Sequence, residues 1–257
     1  MGGVALNTAT VEPRGLQYDR RWMLVDEEGK FLTQRTFAEM ALLQVSLLPD
    51  GLAVQHQVKN MSTLKIPFSP TTNNEYKVQI WDDFCPAIEV SYEANAWFIA
   101  ALGRFCRLVF MPDHSLRQAD LEYAAAGDIV SFADGFPLLL IGQTSLDELN
   151  RQLTEPVPMN RFRPNLVFTG GTPHTEDLWH TFQIGNLVFR GVKPCGRCVV
   201  TTIDQETTKT SAEPLKTLAQ YRVPENKNKV MFGQNVIPDT YYKSIKVGDK
   251  IQVLETL

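Results

Sequence analysis

WMLVDEEGKFLT, residues 22–33, is the stretch that decides the fold class. Two short apolar runs, residues 22–25 and 30–33, flank the sequence DEEG, whose glycine is typical of a hairpin loop. More runs of strand length follow, separated by Pro, Asn, Asp and Ser, at residues 52–54, 64–66 and 76–81. This spacing predicts a small β-barrel or sandwich rather than alternating βαβ units.

The second half of the chain is also dominated by strand-like runs. They lie at residues 165–168, 181–184, 187–189, 198–203 and 245–254. Within the last run, Gly248-Asp249 predicts a hairpin turn between two alternating strands.

Three helices interrupt the strands. Helical spacing of apolar residues predicts one from Ser91 or Tyr92 to Gly103, where the glycine ends it. A capping box at residues 145–148 predicts the start of a second, and Pro214 the start of a third. The sequence therefore predicts an α+β, mainly β fold.

Length and composition limit the classes of function. A chain of 257 residues exceeds the usual single-domain size, and we expect two domains, residues 1–105 and 106–257, each mainly β. The sequence contains no apolar run long enough to cross a bilayer and no signal-peptide pattern, so we expect a soluble, cytoplasmic protein without a membrane partner. A net charge of −4 argues against nucleic acid as a partner.

The C-x-x-C motif formed by Cys195 and Cys198 has four interpretations. It could be a structural zinc site, a thioredoxin-like dithiol, two inert buried cysteines, or a single thiolate that binds a soft metal. A structural zinc site would need a second pair of ligands, which the sequence lacks. A thioredoxin-like dithiol is normally followed by a helix, whereas the β-branched run at 199–203 predicts a strand. Spacing alone leaves the alternatives open. Cys85 and Cys106 are predicted to be inert.

Arginines accumulate near the predicted strands. Arg20 and Arg21 precede one, Arg35 follows its partner, and Arg161 and Arg163 precede another. Guanidinium groups donate planar, paired hydrogen bonds that suit phosphate and other oxyanions. The pattern therefore indicates an anion site, against the alternative of ordinary surface ion pairs.

Several spaced motifs, in order, resemble the MOSC proteins that bind molybdenum cofactor, in their long form with an N-terminal β-barrel domain, which includes the amidoxime-reducing components. The motifs are GLQYDRRW at 15–22, SFAD at 131–134, NRFRPN at 160–165, KPCGRC at 193–198 followed by Thr201-Thr202, EPLKTL at 213–218 and FGQN at 232–235. The resemblance implies an N-terminal β-barrel domain followed by a MOSC β-barrel domain with inserted helices.

The resemblance also implies roles for individual residues. Cys198 corresponds to the metal ligand, and Asn235 to a position near the metal, where it would belong to the catalytic site. The implied cofactor-binding positions are Arg20, Arg35, Asp134, Arg163, Asn165, Gly196 and Arg197.

The activity implied by the resemblance is reduction of a small N-hydroxylated substrate by a molybdenum–molybdopterin cofactor, without pyridoxal phosphate. Relatives have a strand and a Lys-Ser pair that contacts the cofactor phosphate, and the sequence starts about where that segment would end. No ferredoxin domain follows within the sequence, so we expect a separate electron-donor protein, a ferredoxin or a flavin reductase. The alternatives are a cofactor or sulfur carrier without turnover, and a structural or partner-binding β domain.

Overall fold

The computed structural model describes residues 1–225 and 228–257. Its strands are β1 Thr8–Glu12, β2 Gly15–Leu16, β3 Trp22–Val25, β4 Leu43–Leu48, β5 Gly51–His56, β6 Leu64–Pro67, β7 Glu75–Ile80, β8 Asp83–Glu89, β9 Arg107–Phe110, β10 Arg117–Gln118, β11 Ile129–Val130, β12 Leu138–Gly142, β13 Leu166–Phe168, β14 Trp179–Ile184, β15 Leu187–Gly196, β16 Met231–Pro238, β17 Lys243–Lys246 and β18 Ile251–Thr256. The predicted mainly β fold is confirmed.

Helices are few and short. The α-helices are α1 Tyr92–Leu102, α2 Gln143–Gln152 and α3 Leu215–Leu218, and the 3-10 helices are Ala38–Leu42, Met159–Arg161, Thr175–Leu178 and Val199–Thr202. In the part of the chain that the structure describes, no helix combines the length and apolar character needed to span a membrane.

The first half of the chain forms two sheets around α1. A four-stranded sheet has the order β3-β9-β8-β7, and a three-stranded sheet has the order β4-β5-β6. Trp22 and Leu24 of β3 belong to the apolar cluster that includes α1, whereas Met23 and Val25 belong to a second cluster with β7 and β8. Because successive side chains of a strand point to opposite faces, β3 is buried on both.

Helix α1 has the predicted boundaries because both of its ends are determined locally. The Ser91 hydroxyl accepts a hydrogen bond of 3.0 Å from the Ala94 amide, which caps the first turn. Gly103 ends the helix in the left-handed region, with φ of 67°. The helix packs Trp97 and Phe98 into the core beside the first two sheets.

The second half forms a six-stranded sheet with the order β13-β12-β16-β15-β14-β18. Its strands are antiparallel except for the parallel pair β12 and β13. Phe182 and Phe189 are fully buried in the cluster on one face, and Phe162 and Phe232 in the cluster beside α2. The central pair β15 and β16 carries the motifs KPCGRC and FGQN.

The beginning of the chain is built into this second half. Strand β1 pairs antiparallel with β17, with Thr8 opposite Lys246, and Val11 packs in the same cluster as Phe182. At Gly15, φ is 118° and a Cβ would lie 2.8 Å from the Pro137 carbonyl oxygen, so a side chain has no room there. The two halves are therefore interlocked in space, and a boundary after residue 105 stays a prediction, since the first sheet includes β9.

Two local predictions are wrong for one reason, namely that hydroxyl groups bond to partners which sequence pattern does not reveal. Helix α2 begins at Gln143, and Ser145 is no cap, because its buried hydroxyl donates to the Glu176 carboxylate at 2.8 Å. The predicted strand at 199–203 is instead the 3-10 helix Val199–Thr202. There the Thr201 and Thr202 hydroxyls donate to carbonyl oxygens three residues back, at 2.9 and 2.7 Å.

The two predicted hairpins also differ from expectation. Between β3 and the following run only a single bridge forms, from Val25 to Phe31. At the chain's end Gly248 does form a turn, with φ of 93°, but β17 pairs with β1 whereas β18 pairs with β14. The turn therefore connects two sheets rather than the two strands of one hairpin.

Candidate functional site

The C-x-x-C motif begins at the C-terminal end of strand β15. Lys193 lies opposite Asn235 of β16, and after Gly196 the chain leaves the ladder. Cys198 then forms the N-terminal cap of the 3-10 helix, and its carbonyl oxygen accepts a hydrogen bond of 3.1 Å from the Thr201 amide. Both cysteines of the motif are half-buried and free, so both sulfurs are available for chemistry.

Arg20, Arg163 and Arg197, which we call the arginine cluster, lie beside this motif. The Asp19 carboxylate accepts a hydrogen bond from Arg20 and one of 2.8 Å from the Asn165 side-chain amide. The second terminal nitrogen of Arg20 donates to the Arg163 carbonyl oxygen at 3.4 Å. These contacts join positions more than 140 residues apart in the sequence.

The charges within the arginine cluster are poorly balanced. Burial, and then the positive charge of Arg20, lower the pKa of Arg163 to about 10. Arg163 donates to the Met1 carbonyl oxygen at 3.0 Å, which carries no full charge. The Asp19 carboxylate raises the pKa of Arg20, although burial opposes it. The cluster therefore has a surplus of half-buried positive charge, which a bound anion would neutralise.

Arg197 connects the arginine cluster to the cysteines. It donates to the Cys195 sulfur at 3.1 Å and to the Phe162 carbonyl oxygen at 2.6 Å. Within the described residues its Nε is buried and has no hydrogen-bond partner. Such an unpaired donor on a charged group is costly unless a ligand occupies it.

Backbone strain is concentrated at the same place. Arg20 and Arg163 adopt left-handed conformations with φ of 50° and 56°, which cost a residue other than glycine about 1–2 kcal/mol each. Strain of this kind is retained where it positions functional groups. Here it aims two guanidinium groups at one place.

Arg35 and Asp134 form the other side of the site. They pair at 2.6 Å, and the Arg35 guanidinium lies 4.6 Å from the centre of the Trp81 ring. The Trp81 indole donates to Asp134 at 3.3 Å, so the three side chains hold one another. Burial lowers the pKa of Arg35, but the negative charges of Asp134 and of the Cys198 thiolate outweigh it, and the pKa is raised overall.

Asn235 and Gly196 have fewer contacts in the site than the arginines. The Asn235 amide donates to the Lys193 carbonyl oxygen at 3.3 Å, which holds it on the β15 side. Gly196 is exposed, and a Cβ there would lie 3.2 Å from Cδ of the flexible Lys229 side chain. That contact can move aside, so the requirement for glycine at this position is mild.

The structure bears on the rival interpretations of the cysteines. In residues 1–225 and 228–257, no group of three or more His, Cys, Asp or Glu side chains is placed to hold a metal ion, which gives the zinc hypothesis no support. Cys85 and Cys106 are buried, as predicted, and burial raises the pKa of the Cys106 thiol to about 11. The argument against a dithiol was the strand predicted after Cys198. That argument no longer holds, because a 3-10 helix follows Cys198 instead.

Reasoning from the sequence missed two contributors to the site. Asp19 supplies the carboxylate between Arg20 and Asn165, and its place directly before Arg20 was the available signal. Trp81 ends the β7 segment with φ of 54°, and nothing local distinguished it from a core strand residue.

Two family models match the chain: "MOSC N-terminal beta barrel domain" at residues 1–104 and "MOSC domain" at residues 127–252. Mitochondrial amidoxime-reducing component 1 of Mus musculus is 28% identical over 98% of this chain and 78% of its own length. The Homo sapiens protein of that name is 29% identical, over 98% and 79%. Molybdenum cofactor sulfurase of Arabidopsis thaliana is 33% identical over 85% of this chain, which corresponds to 29% of that protein.

Proposed function

This chain belongs to the MOSC-domain proteins that carry an N-terminal MOSC β-barrel domain, and we propose that it binds molybdenum–molybdopterin and reduces N-hydroxylated compounds with it. The observation that carries the proposal is the arginine cluster, in which three guanidinium groups gather beside a half-buried C-x-x-C motif. Molybdenum cofactor, with which this family is associated, would supply the anion that neutralises such a cluster.

The residues present fit this cofactor. Molybdopterin carries a phosphate and a polar pterin, and the surplus charge of Arg20 and Arg163 suits the phosphate. The unpartnered Nε of Arg197 suits a pterin or phosphate acceptor, and Asn165 is held in place by Leu139 and Asp19. Arg20, Arg163, Asn165, Gly196 and Arg197 are therefore proposed to hold the cofactor.

Cys198 is proposed as the protein's ligand to molybdenum, since soft thiolates bind such metals. The sulfur of Cys195 accepts a hydrogen bond from Arg197, which ties it to the arginine cluster. Cys198 instead lies on the Arg35 side, where its charge raises the pKa of Arg35. This division supports one ligand and one neighbour, as the family resemblance implies.

When bound, the cofactor would supply the chemistry that removes an oxygen atom from the substrate. An N-hydroxylated compound, two electrons and two protons then give the reduced compound and water. The protein's own residues bind and orient the cofactor and admit the substrate. Asn235 and the Arg35–Asp134 pair are proposed to line the reacting side. The electrons are proposed to come from a separate protein, a ferredoxin or a flavin reductase.

The test is the molybdenum and phosphorus content of protein produced in a host that makes the cofactor. We expect near-stoichiometric molybdenum in the wild type, at least about tenfold less in Cys198→Ser, and retention in Cys195→Ser, because only a thiolate binds the soft metal well. Reduction of benzamidoxime by chemically reduced protein should follow the metal content. Equal loss in both variants would remove the assignment to Cys198, and a wild type without metal would overturn the proposal.

A second candidate, a cofactor or sulfur carrier without turnover, is favoured by the similarity to molybdenum cofactor sulfurase. In that case the protein would contain cofactor or cyanide-releasable sulfur but would reduce no N-hydroxylated compound. Sulfur release that is lost in Cys195→Ser and kept in Cys198→Ser would favour the carrier.

A further inference from the structure

Arg117 of β10 is a buried arginine, of which only 5% is exposed. One terminal nitrogen of its guanidinium donates to the Ser131 and Ala133 carbonyl oxygens, to the first of them at 3.1 Å. The other terminal nitrogen donates to the Asp134 carbonyl oxygen at 2.8 Å. A planar guanidinium holds several acceptors at once in fixed directions. Arg117 therefore fixes the backbone of residues 131–134, which we call the 131–134 loop, through three carbonyl groups.

The same guanidinium also binds a second segment of the chain. Its Nε donates to the Asp83 carboxylate at 2.7 Å, where β8 begins. Asp83 lies two residues after Trp81, in the turn that joins β7 to β8. The Asp83 carboxylate balances the charge of Arg117, so this buried guanidinium is compensated. Arg117 thus connects the turn that carries Trp81 to the loop that carries Asp134.

Trp81 and Asp134 are the two residues that hold Arg35. Asp134 accepts hydrogen bonds from the Trp81 indole and from Arg35, whose guanidinium lies over the Trp81 ring. Of the Asp134 side chain 65% is exposed, and water competes for these contacts. An exposed group keeps one geometry when the buried residues around it hold its backbone in place. Arg117 meets that description for both Trp81 and Asp134.

The 131–134 loop is also attached to the arginine cluster. The Phe132 amide donates to the Arg20 carbonyl oxygen at 3.0 Å. One arginine therefore binds the loop through its backbone, and Arg117 binds it through its guanidinium. The loop joins the two sides of the candidate site.

We infer that Arg117 is a positioning residue that sets the place of Asp134 relative to Trp81 and, through these two, the orientation of Arg35. This inference rests on the proposed function, in which the Arg35–Asp134 pair lines the reacting side. Arg117 acts without touching cofactor or substrate, because its three nitrogens all donate within the protein. Its loss is therefore expected to affect the use of substrate more than the retention of cofactor.

The test measures how accessible Trp81 is in the full chain as purified, by acrylamide quenching of tryptophan fluorescence. Trp81 is 43% exposed, whereas Trp22, Trp97 and Trp179 are at most 9% exposed, so quenching reports mainly Trp81. Versions of each protein with Trp81→Phe give the background. In Arg117→Lys we expect the quenching rate of Trp81 to rise at least about twofold, because lysine keeps the charge but lacks the planar fork that binds both segments.

Arg107→Lys is the matched control. Arg107 belongs to the same four-stranded sheet as Trp81's neighbour β7, pairs with Glu89 at 3.3 Å and lies over the Tyr76 ring. Both lysine variants should lower stability towards urea, but only Arg117→Lys should change the quenching of Trp81. An equal rise in Arg107→Lys would show that general loosening exposes Trp81 and would overturn the inference.

Asp83→Asn keeps the test decisive if Arg117→Lys does not fold. It leaves the guanidinium and its three carbonyl contacts but weakens the link to the turn, so we expect a smaller rise in quenching, about 1.5-fold. Asp82→Asn makes the same change at the neighbouring exposed position and should leave the quenching rate unchanged. Equal quenching in Asp83→Asn and Asp82→Asn would contradict the inference.

A kinetic measurement separates positioning from a merely structural role. In protein that contains molybdenum, Arg117→Lys should raise the KM for benzamidoxime about twofold to threefold, with kcat and molybdenum content within about twofold of the wild type. Combining it with Asp134→Asn should give no further rise, because both changes act through one ion pair. A rise that multiplies in the double variant would show that Arg117 acts elsewhere.

Failure of this inference is distinguishable from failure of the proposed function. A protein that contains molybdenum and reduces benzamidoxime, but whose Trp81 does not respond to Arg117→Lys, contradicts the positioning role and leaves the function standing. A protein without molybdenum whose Trp81 responds to Arg117→Lys and not to Arg107→Lys supports the positioning of Trp81 and Asp134 and contradicts the function.

Discussion

The arginine cluster and the Arg35–Asp134 pair form two sides of the candidate site and are built by opposite means. The cluster is half-buried, crowded with positive charge and held in strained backbone. The Arg35–Asp134 pair is balanced in charge, and 65% of the Asp134 side chain is exposed. Half-buried, poorly compensated charge suits a ligand that stays bound, whereas an exposed and balanced ion pair suits a ligand that enters and leaves.

The largest expected effect comes from removing one charge of the arginine cluster. Arg163→Met should reduce the retained molybdenum and phosphorus at least about tenfold, because a charge-assisted hydrogen bond contributes about 1.5–3 kcal/mol. The cofactor-free variant should be as stable as the wild type or more so, because repulsion from Arg20 is relieved. Elemental analysis and urea unfolding measure the two quantities.

Arg151→Met is the matched control, since Arg151 is exposed and contacts Asp147 and Glu148 of its own helix. It should change neither quantity. If Arg163→Met instead unfolds the cofactor-free protein, the arginine cluster is a structural element, and the contrast with the Arg35–Asp134 pair disappears.

The second expected effect is a dependence of stability on pH, caused by His174 on the side of the arginine cluster. His174 lies 5.8 Å from Phe232, which packs 4.4 Å from Phe162, the residue that binds Arg197. Burial, and then Arg222, lower the pKa of His174 to about 4. The unfolded chain therefore binds more protons than the folded one between about pH 6.5 and 4, and stability falls as the pH drops through that window.

His174→Asn should remove that loss, which we expect to be about 1–2 kcal/mol at pH 4.5 after allowing for a partly exposed ring. Asparagine tolerates the left-handed backbone at this position, where φ is 62°. Unfolding is measured at pH 4.5 and 7 for the wild type, the variant and His114→Asn, which alters an exposed histidine. A difference between wild type and His174→Asn that does not depend on pH would exclude His174 as the cause.

The smallest expected effect belongs to the Arg35–Asp134 pair. Asp134→Asn removes the charge that pairs with Arg35, but Asp134 is 65% exposed, and such pairs contribute about 0.2–1 kcal/mol. The KM for benzamidoxime should therefore rise by less than about threefold, with molybdenum content unchanged. Glu148→Gln, at another surface pair, should leave both quantities unchanged. Loss of molybdenum in Asp134→Asn would instead indicate that this residue helps to bind the cofactor.

Sequence reasoning succeeded where structure is determined locally. Helix α1 follows from Ser91 and Gly103, and the mainly β class follows from runs that recur in both halves. It failed at Ser145 and at 199–203, because a buried Glu176 and backbone carbonyls compete for the hydroxyls. Propensity carries no information about such partners.

For the candidate site, the motifs identified residues but not their arrangement. Arg20 contacts the backbone of Arg163, and Asn165 contacts Asp19, across more than 140 residues of chain. Neither contact follows from spacing, and the selection of these residues came from resemblance to a family. Their roles in binding cofactor remain predictions.

The pairing of β1 with β17 sets an order on synthesis. Thr10 contacts Ser244 across 234 residues, so on a ribosome that adds about 5–20 residues per second the partner arrives roughly 10–50 s later. During that interval a strand that contains the buried Val11 lacks one of its two partner strands. Translation speed and holding by chaperones should therefore determine how much of the nascent chain reaches its final form rather than aggregating.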